Sequence, residues 1–543
     1  MHRSTLLVAL GSISCNACAP ATLGDLPMTD GASGSGDDES TSVGASDTGD
    51  AEPEWFTIQL TVNKDVDLLF VIDDSASMGP FQERLAANFP AFVNVLEDAE
   101  VKANYRIAIT TTDVGNPACA GASSERGAFV ASSCRSRQAD FVSGELDVAQ
   151  ASCLDNCAYD GLVPQPTTTA YDDVPRSRPW LESIEGNNNV GTTTTEAAQC
   201  WLPQGIAGCE LVSPLEAGYL ALERARTPGD PAYGFLRETA FLFVVYVTGG
   251  SDCSASPEGE AIFTAPNAFW TDPSAATQGA CWSAGVACSA PSDGPDGTTI
   301  YGACEPADRG LDGGPAAPED AVLFPIPRYL DQFEELRAER VPYGADVRAM
   351  AVAGYPIGTD ELEFASSADP DVQREHGIAP NCTSDGGIGI PPVRVAAVVE
   401  ATAIDSDDAS ICTDDYSPVL GDVADFIRDQ IKPACVPRCV ADADPSTVVL
   451  EPSCLVRQQL LAPYGEDVFD VPRCSADESL PDDAIDVCWV SLVGDDRSDY
   501  CTDEGSNLEL RLVRREGHPA PGGTSVEITC EWSEQPAIDC PGT

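Results

Sequence analysis

The run Asp67–Ile72 (DLLFVI) is apolar at every position after the first, and it gives way at once to the polar stretch Asp73-Asp74-Ser75-Ala76-Ser77. A strand with one wet face alternates in polarity; a continuous apolar run of this length requires burial on both faces. Phe81, Leu85, Phe89, Phe92, Val93 and Leu96 then share one side of a helix. The same signals recur along the chain. Strands are expected at Tyr105–Thr111, at Phe241–Thr248 (FLFVVYVT) and at Val347–Ala353. Helices are expected around Leu215, Tyr219 and Leu222, and around Tyr329, Leu330, Phe333 and Leu336. A further helix is expected from Ser417-Pro418, with Val419, Val423, Phe426, Ile427 and Ile431 on one side. Strand and helix in this alternation predict an α/β fold: a doubly wound, mainly parallel sheet with flanking helices.

The chain of 543 residues is too long for one core and suggests about two to four units. Two stretches, at about 115–208 and 254–321, are rich in Cys, Gly and Pro and read as loop insertions in an α/β domain spanning 55–440. Residues 441–543 change character: short β-like runs at Ile485–Val493, Leu508–Val513 and Ser525–Trp532 predict a small, cysteine-rich, acidic β module. Twenty cysteines lie between Cys119 and Cys540, and the close pairs Cys153/Cys157 and Cys435/Cys439 are C-x₃-C rather than C-x-x-C. In an exported chain this even number reads as disulfides, with the connectivity left open.

Residues 1–14 read as an export signal, with His2 and Arg3 ahead of the apolar Leu6–Leu10. Cys15, or alternatively Cys18, is the candidate for lipid attachment. Residues 15–54 form an acidic Gly/Ser/Asp tether without a single base. The expected location is extracytoplasmic, as an outer-membrane or cell-surface lipoprotein of a Gram-negative bacterium, with a periplasmic or secreted protein as the alternative. Membrane contact is expected through the lipid anchor alone, because no apolar run is long enough to span a bilayer.

Charge narrows the function further. With 88 acids against 29 bases the net charge is −59, which repels phosphate backbones and argues against nucleic-acid partners. The only three histidines, His2, His376 and His518, are far apart, so a His-rich zinc site or a histidine-based triad is not expected. Ser75 and Ser77 lack a nearby histidine or catalytic lysine, and no enzymatic activity is predicted. Asp405, Asp407 and Asp408 with Asp414 and Asp415, and likewise Asp442-Ala443-Asp444, read as solvated acidic loops, since neither carries the twelve-residue calcium loop.

The polar stretch after the first strand is the motif that carries chemistry. Asp73, Ser75 and Ser77 form D-x-S-x-S at the carboxyl end of a buried strand, where open α/β sheets bind ligands. One carboxylate and two hydroxyls are hard oxygen donors, suited to Mg²⁺ or Mn²⁺.

In the run VDLLFVIDDSASMGPFQERL, and in the order of the later strands and helices, the chain resembles the von Willebrand factor type A domain over about Phe56 to Cys439. Segments such as RIAITTTDVGNPAC, VVYVTGGSDCS and DASICTDDYSPVL resemble cysteine-rich bacterial lipoproteins that carry this domain. The resemblance implies a divalent cation at the strand tip, often completed by a partner's carboxylate, and a role in adhesion, ligand capture or assembly. Two positions depart from the family pattern. Its threonine before the third helix is absent from Gly208–Ser213, where Ser213 or Glu210 would substitute. Its aspartate after the fourth strand is replaced by Gly249, and the first acid there is Asp252. Asp113, which ends the second strand, is a further outer-shell candidate. The expected function is therefore cation-dependent binding of a protein or glycan partner through an acidic side chain. The alternative is a non-catalytic scaffold of a surface assembly whose metal site has decayed.

Overall fold

In a computed structural model the described residues are 55–543, apart from 62–64, 99–100, 102, 120–121, 123, 265–266, 270–275, 344, 360, 385–386, 403–408, 431–433, 445, 448, 461–466, 483–484, 499–500, 503, 516–523 and 541–543. The export signal, the tether, Cys15, Cys18, Asp405, Asp407 and Asp408 lie outside the described residues.

In chain order, β1 (Trp55–Thr61) and β2 (Asp65–Ile72) are followed by α1 (Gly79–Leu96), β3 (Asn104–Thr111), β4 (Leu181–Ile184) and β5 (Asn187–Asn188). Next come α2 (Thr194–Trp201), α3 (Pro214–Arg226), β6 (Phe241–Val247), α4 (Gln278–Gly285), α5 (Pro327–Arg340) and β7 (Val347–Ala353). Then follow α6 (Pro370–His376), α7 (Val393–Thr402), β8 (Ala409–Ser410), α8 (Ser417–Gln430) and β9 (Ala434–Cys435). The chain closes with β10 (Cys454–Leu460), β11 (Asp467–Asp470), β12 (Val487–Val493), β13 (Leu508–Arg514) and β14 (Thr524–Glu531).

A mixed seven-stranded sheet runs in the order β8-β7-β6-β2-β3-β4-β5. β2 lies at its centre, parallel to β6 and to β3, and β6 is parallel to β7. The apolar run expected to be buried on both faces is so. Leu68, Phe70 and Ile72 join one core with Phe81, Leu85, Phe89 and Phe92 of α1, Trp201 of α2 and Leu420 and Ile427 of α8. Leu69 and Val71 join the opposite core with Leu215 and Leu222 of α3, Phe333 and Leu336 of α5 and Val395 and Val399 of α7. Helices thus cover both faces, as period-2 side-chain alternation demands when neither face is wet.

Asp67, the polar start of the run, is fully buried at the base of the sheet. It is paired with Arg237 at 2.8 Å, beside the Arg106–Glu182 pair at 3.1 Å. Breaking such a pair leaves a buried charge uncompensated, so these residues fix the strand's register at its lower end.

The stretch at about 115–208, expected as loop, does more. It supplies β4, antiparallel to β3, and β5 beyond it, which makes the sheet mixed rather than mainly parallel along that edge. It also supplies α2, begun by a capping box between Thr193 and Glu196. Its strands are too short and too polar to show a hydrophobic period.

Ten disulfides join all twenty cysteines from Cys119 to Cys540. Four of them, Cys435–Cys501, Cys439–Cys540, Cys454–Cys530 and Cys474–Cys488, brace the C-terminal β module. That module is a four-stranded sheet, β1-β14-β10-β11, with a three-stranded one, β9-β13-β12. Its core includes Val436, Val440, Trp489, Leu508 and Ile528. β1 pairs with β14 from Trp55↔Glu531 to Thr61↔Ser525. The N-terminal strand, which the sequence placed in the α/β domain, is therefore part of the β module, and the α/β body is inserted between β1 and β9.

Candidate functional site

The carboxyl ends of β2, β3 and β6 meet at the upper edge of the sheet, and D-x-S-x-S sits there. Asp73 is fully buried, its backbone N–H still donating to Val247 O at 2.9 Å. Its Oδ1 accepts the Ser75 backbone N–H at 2.9 Å and its Oδ2 accepts the Thr248 hydroxyl at 2.7 Å. Burial raises its pKa above the usual carboxylate value, while hydrogen bonds from Ser75, Thr248 and Gly249 pull the other way. Ser75 is buried and Ser77 is exposed, so the loop presents one hydroxyl inside and one at the surface.

Gln82 fixes this loop from below. It is fully buried on the apolar side of α1, donating through Nε2 to Asp73 O and Gly205 O at 2.8 Å each. Its Oε1 accepts the N–H groups of Gln204 and Gly205 at 2.9 Å each. Gly208 then passes directly over Asp74, with its N–H on Asp74 O at 2.9 Å. A Cβ at Gly208 would stand 2.2–2.4 Å from the Asp74 carboxyl atoms, so any larger residue has to displace that buried carboxyl.

The loop before α3 is held by the Cys119–Cys209 disulfide to the loop after β3. Within it, Glu210 Oε1 accepts the Ala76 N–H of the D-x-S-x-S loop at 2.9 Å. Desolvation there and the nearby Asp73 charge raise its pKa, against the pull of that hydrogen bond. Ser213 precedes α3 with its N–H on Thr112 O at 3.1 Å; its hydroxyl is buried and has no hydrogen-bond partner among the described residues. Asp113 is buried just past the end of β3, its Oδ1 accepting the Gly115 N–H at 2.8 Å; desolvation raises its pKa, against the pull of the Gly115 and Cys209 N–H groups and the Arg126 charge. Asp74 is buried as well. Desolvation, then the charges of Glu125, Asp73 and Asp113, hold its pKa well above the ordinary value.

Asp252 is turned to another task. Its Oδ2 accepts Arg394 Nε at 2.9 Å, and its Oδ1 accepts the Ser254 hydroxyl at 2.5 Å and the Leu215 N–H at 3.4 Å. Both side chains of the Asp252–Arg394 pair are at most 2 % exposed. The carboxylate caps α3 and neutralises a buried guanidinium, which occupies both of its oxygens away from the loop.

The structure thus brings Asp73, Ser75, Ser77, Glu210, Ser213 and Asp113 to one edge and leaves Asp252 engaged elsewhere. Thr248 and Gln82 were not singled out from sequence. Gln82 had a signal, a polar residue on the buried side of α1; Thr248 had none beyond its place at the end of an apolar strand. Among the described residues no three His, Cys, Asp or Glu side chains gather to hold an ion by themselves, so an ion here draws on hydroxyl oxygens as well. The donor set fits a hard divalent cation on one point above all: the Ser213 hydroxyl is a buried oxygen without a hydrogen-bond partner among the described residues, and a buried oxygen left unmatched is costly.

No family model matches the chain, and no protein of curated function matches it in sequence. Among solved structures it is similar to the pilus adhesin SpaC of Lactobacillus rhamnosus GG in its open conformation. The identity is 10% and the TM-score 0.29, over 88% of this chain and 40% of that one. A second form of the same adhesin gives 11% identity and a TM-score of 0.26 over the same shares, 88% and 40%. The chain spans 40% of the length of that adhesin, and similarity at this level carries no argument about fold or function.

Proposed function

We propose that this protein is a non-enzymatic binding protein of the von Willebrand factor type A class. Its doubly wound α/β body presents a divalent-cation site, Mg²⁺ or Mn²⁺, to a protein or glycan partner outside the cytoplasm. The observation that carries this reading is the buried Asp73 carboxylate at the tip of the central strand, with the buried Ser213 hydroxyl, unpartnered among the described residues, at the same edge. A cation would give the Ser213 hydroxyl a partner and offer an open position for a partner's donor atom. Asp73 orients the loop through the Ser75 N–H, Ser75 and Ser77 offer hydroxyls, and Ser213 takes the place of the family's threonine. Thr248 and Gln82 keep the loop from relaxing.

Ten disulfides support an oxidising, extracytoplasmic setting. No helix among the described residues is long and apolar enough to cross a membrane. The attachment proposed here is a lipid at Cys15 or Cys18. Gly249 in place of an acid, and Asp252 bound to Arg394, favour a second reading: the fold retained as a disulfide-braced scaffold of a surface assembly, with the cation site lost.

Thermal melting of the oxidised protein in EDTA and then in rising Mg²⁺ or Mn²⁺ separates the two. A native-state ligand adds RT ln(1 + [L]/Kd), about 2.7 kcal/mol at a hundredfold excess over Kd. The binding reading expects this stabilisation and its loss in Asp73→Ala; a flat titration in both proteins leaves the scaffold.

A further inference from the structure

Glu210 lies on a loop held at several points. Its backbone C=O accepts Gln278 Nε2 at 2.8 Å, Cys209 beside it is in a disulfide with Cys119, and Gly208 N–H donates to Asp74 O at 2.9 Å. Gln278 is itself fixed, since its Oε1 faces the Ser251 N–H at 3.3 Å and His376 Nδ1 at 3.2 Å. An exposed glutamate ordinarily spreads over many rotamers in water. Here the carboxylate is instead directed inward, with Oε1 on the Ala76 N–H between the two serines, 2.9 Å away. Oε2 has no hydrogen bond among the described residues. Asp73 Oδ1 accepts the Ser75 N–H at 2.9 Å, so the two carboxylates take successive N–H groups of one loop. Two carboxylates brought to one loop repel one another, and a cation between them relieves that repulsion. The unpartnered buried Ser213 hydroxyl on the same loop points to the same conclusion independently.

We propose that Glu210 supplies from within the chain the second carboxylate of the strand-tip cation site, so that the position left for a partner takes a neutral oxygen donor, a hydroxyl or an amide, rather than an acid. The inference rests on the cation-binding reading and narrows its ligand class. With Asp73 and Glu210 as ligands, a divalent ion is already neutralised. A third carboxylate would enter a site that also faces the buried Asp74 and Asp113, on a chain of net charge −59. Long-range repulsion and local charge balance both disfavour an acidic partner. The glycine at position 249 agrees with this arrangement: the acid missing from the end of β6 is delivered from the loop before α3.

Mn²⁺ binding to the oxidised full chain, read by water-proton relaxation, tests the inference, with acetate and acetamide as isosteric charged and neutral probes. In the wild type, acetamide displaces ion-bound water at least as well as acetate. Glu210→Gln and Glu210→Ala weaken Mn²⁺ binding by about tenfold or more, and acetate becomes the better displacing probe. In EDTA Glu210→Gln melts no lower than the wild type, because the amide keeps an oxygen for the Ala76 N–H and removes the charge that Asp73 repels. Mn²⁺ affinity unchanged in both variants, with acetate preferred throughout, overturns the role of Glu210 and leaves cation binding intact. Wild-type protein that behaves like Asp73→Ala, without bound Mn²⁺, overturns both.

Discussion

Asp252→Asn separates two assignments of one carboxylate. If Asp252 were a ligand of a strand-tip ion, losing its charge would abolish the response to Mg²⁺ at modest cost to the fold. The structure predicts the reverse. Asp252 Oδ2 is 2.9 Å from Arg394 Nε, and both side chains are at most 2 % exposed. Asparagine leaves a buried guanidinium without its counter-charge, which costs about 3–5 kcal/mol. At roughly 2–4 °C per kcal/mol in domains of about 150–250 residues, the melting point falls by at least ~6 °C. Asp252→Asn/Arg394→Met removes both charges and recovers half or more of the loss, because an apolar replacement of a buried pair is often near neutral. Differential scanning calorimetry in EDTA and in saturating Mg²⁺ gives the stability and the cation-induced shift together. A melting point within ~2 °C of wild type combined with loss of the Mg²⁺ shift would refute the assignment of Asp252 to α3 and Arg394.

Ser213→Ala removes a hydroxyl that has no partner, so stability in EDTA changes by less than ~1 kcal/mol while the Mg²⁺-induced rise in melting temperature shrinks. Replacing Cys119 and Cys209 by serine unties the loops that carry Asp113 and Glu210; chemical denaturation is expected to show a loss of about 2–5 kcal/mol, with weaker Mn²⁺ binding beside it. Burial lowers the His376 pKa from 6.5 to about 4, so the unfolded chain holds that proton more tightly. The associated stability is complete above about pH 6.5 and is lost as pH falls towards 4. His376→Gln flattens that part of a pH–melting profile, and an unchanged slope counts against the burial.

Elements with strong local signals were legible in the sequence. Val347–Ala353 is a strand with the bounds expected of it, and Asp67–Ile72 is buried on both sides as its continuous apolarity requires. The position of D-x-S-x-S followed, because a polar loop between a buried strand and an amphipathic helix has few other places to go. What pairing over long distance decides was not legible. β1 is a short strand whose partner, β14, lies some 470 residues away, and nothing local distinguishes it from the α/β strands that follow. The hydroxyl of Thr248 meets Asp73 only because the register of β2 and β6 sets Val247 opposite Ile72. Asp252 and Asp113 look alike in sequence, as acids just past a strand; Arg394, 142 residues from Asp252, makes them different.

The insertion of the α/β body between β1 and the rest of the β module has a mechanical consequence. Tension entering the chain ahead of Trp55 and leaving through a partner held at Asp73–Ser77 runs along β1, through residues 62–64, and along β2. It reaches the candidate contact without crossing a helix or a disulfide. β2 spans roughly 26 Å at about 3.3 Å per residue and is gripped on both sides by parallel neighbours. A pull along its axis therefore loads both hydrogen-bonded ladders in shear at once, rather than peeling them one bond at a time. Resistance to such a pull is a matter of unfolding rate rather than equilibrium stability. The arrangement suits the proposed role, in which an anchored protein would have to keep hold of its partner under load.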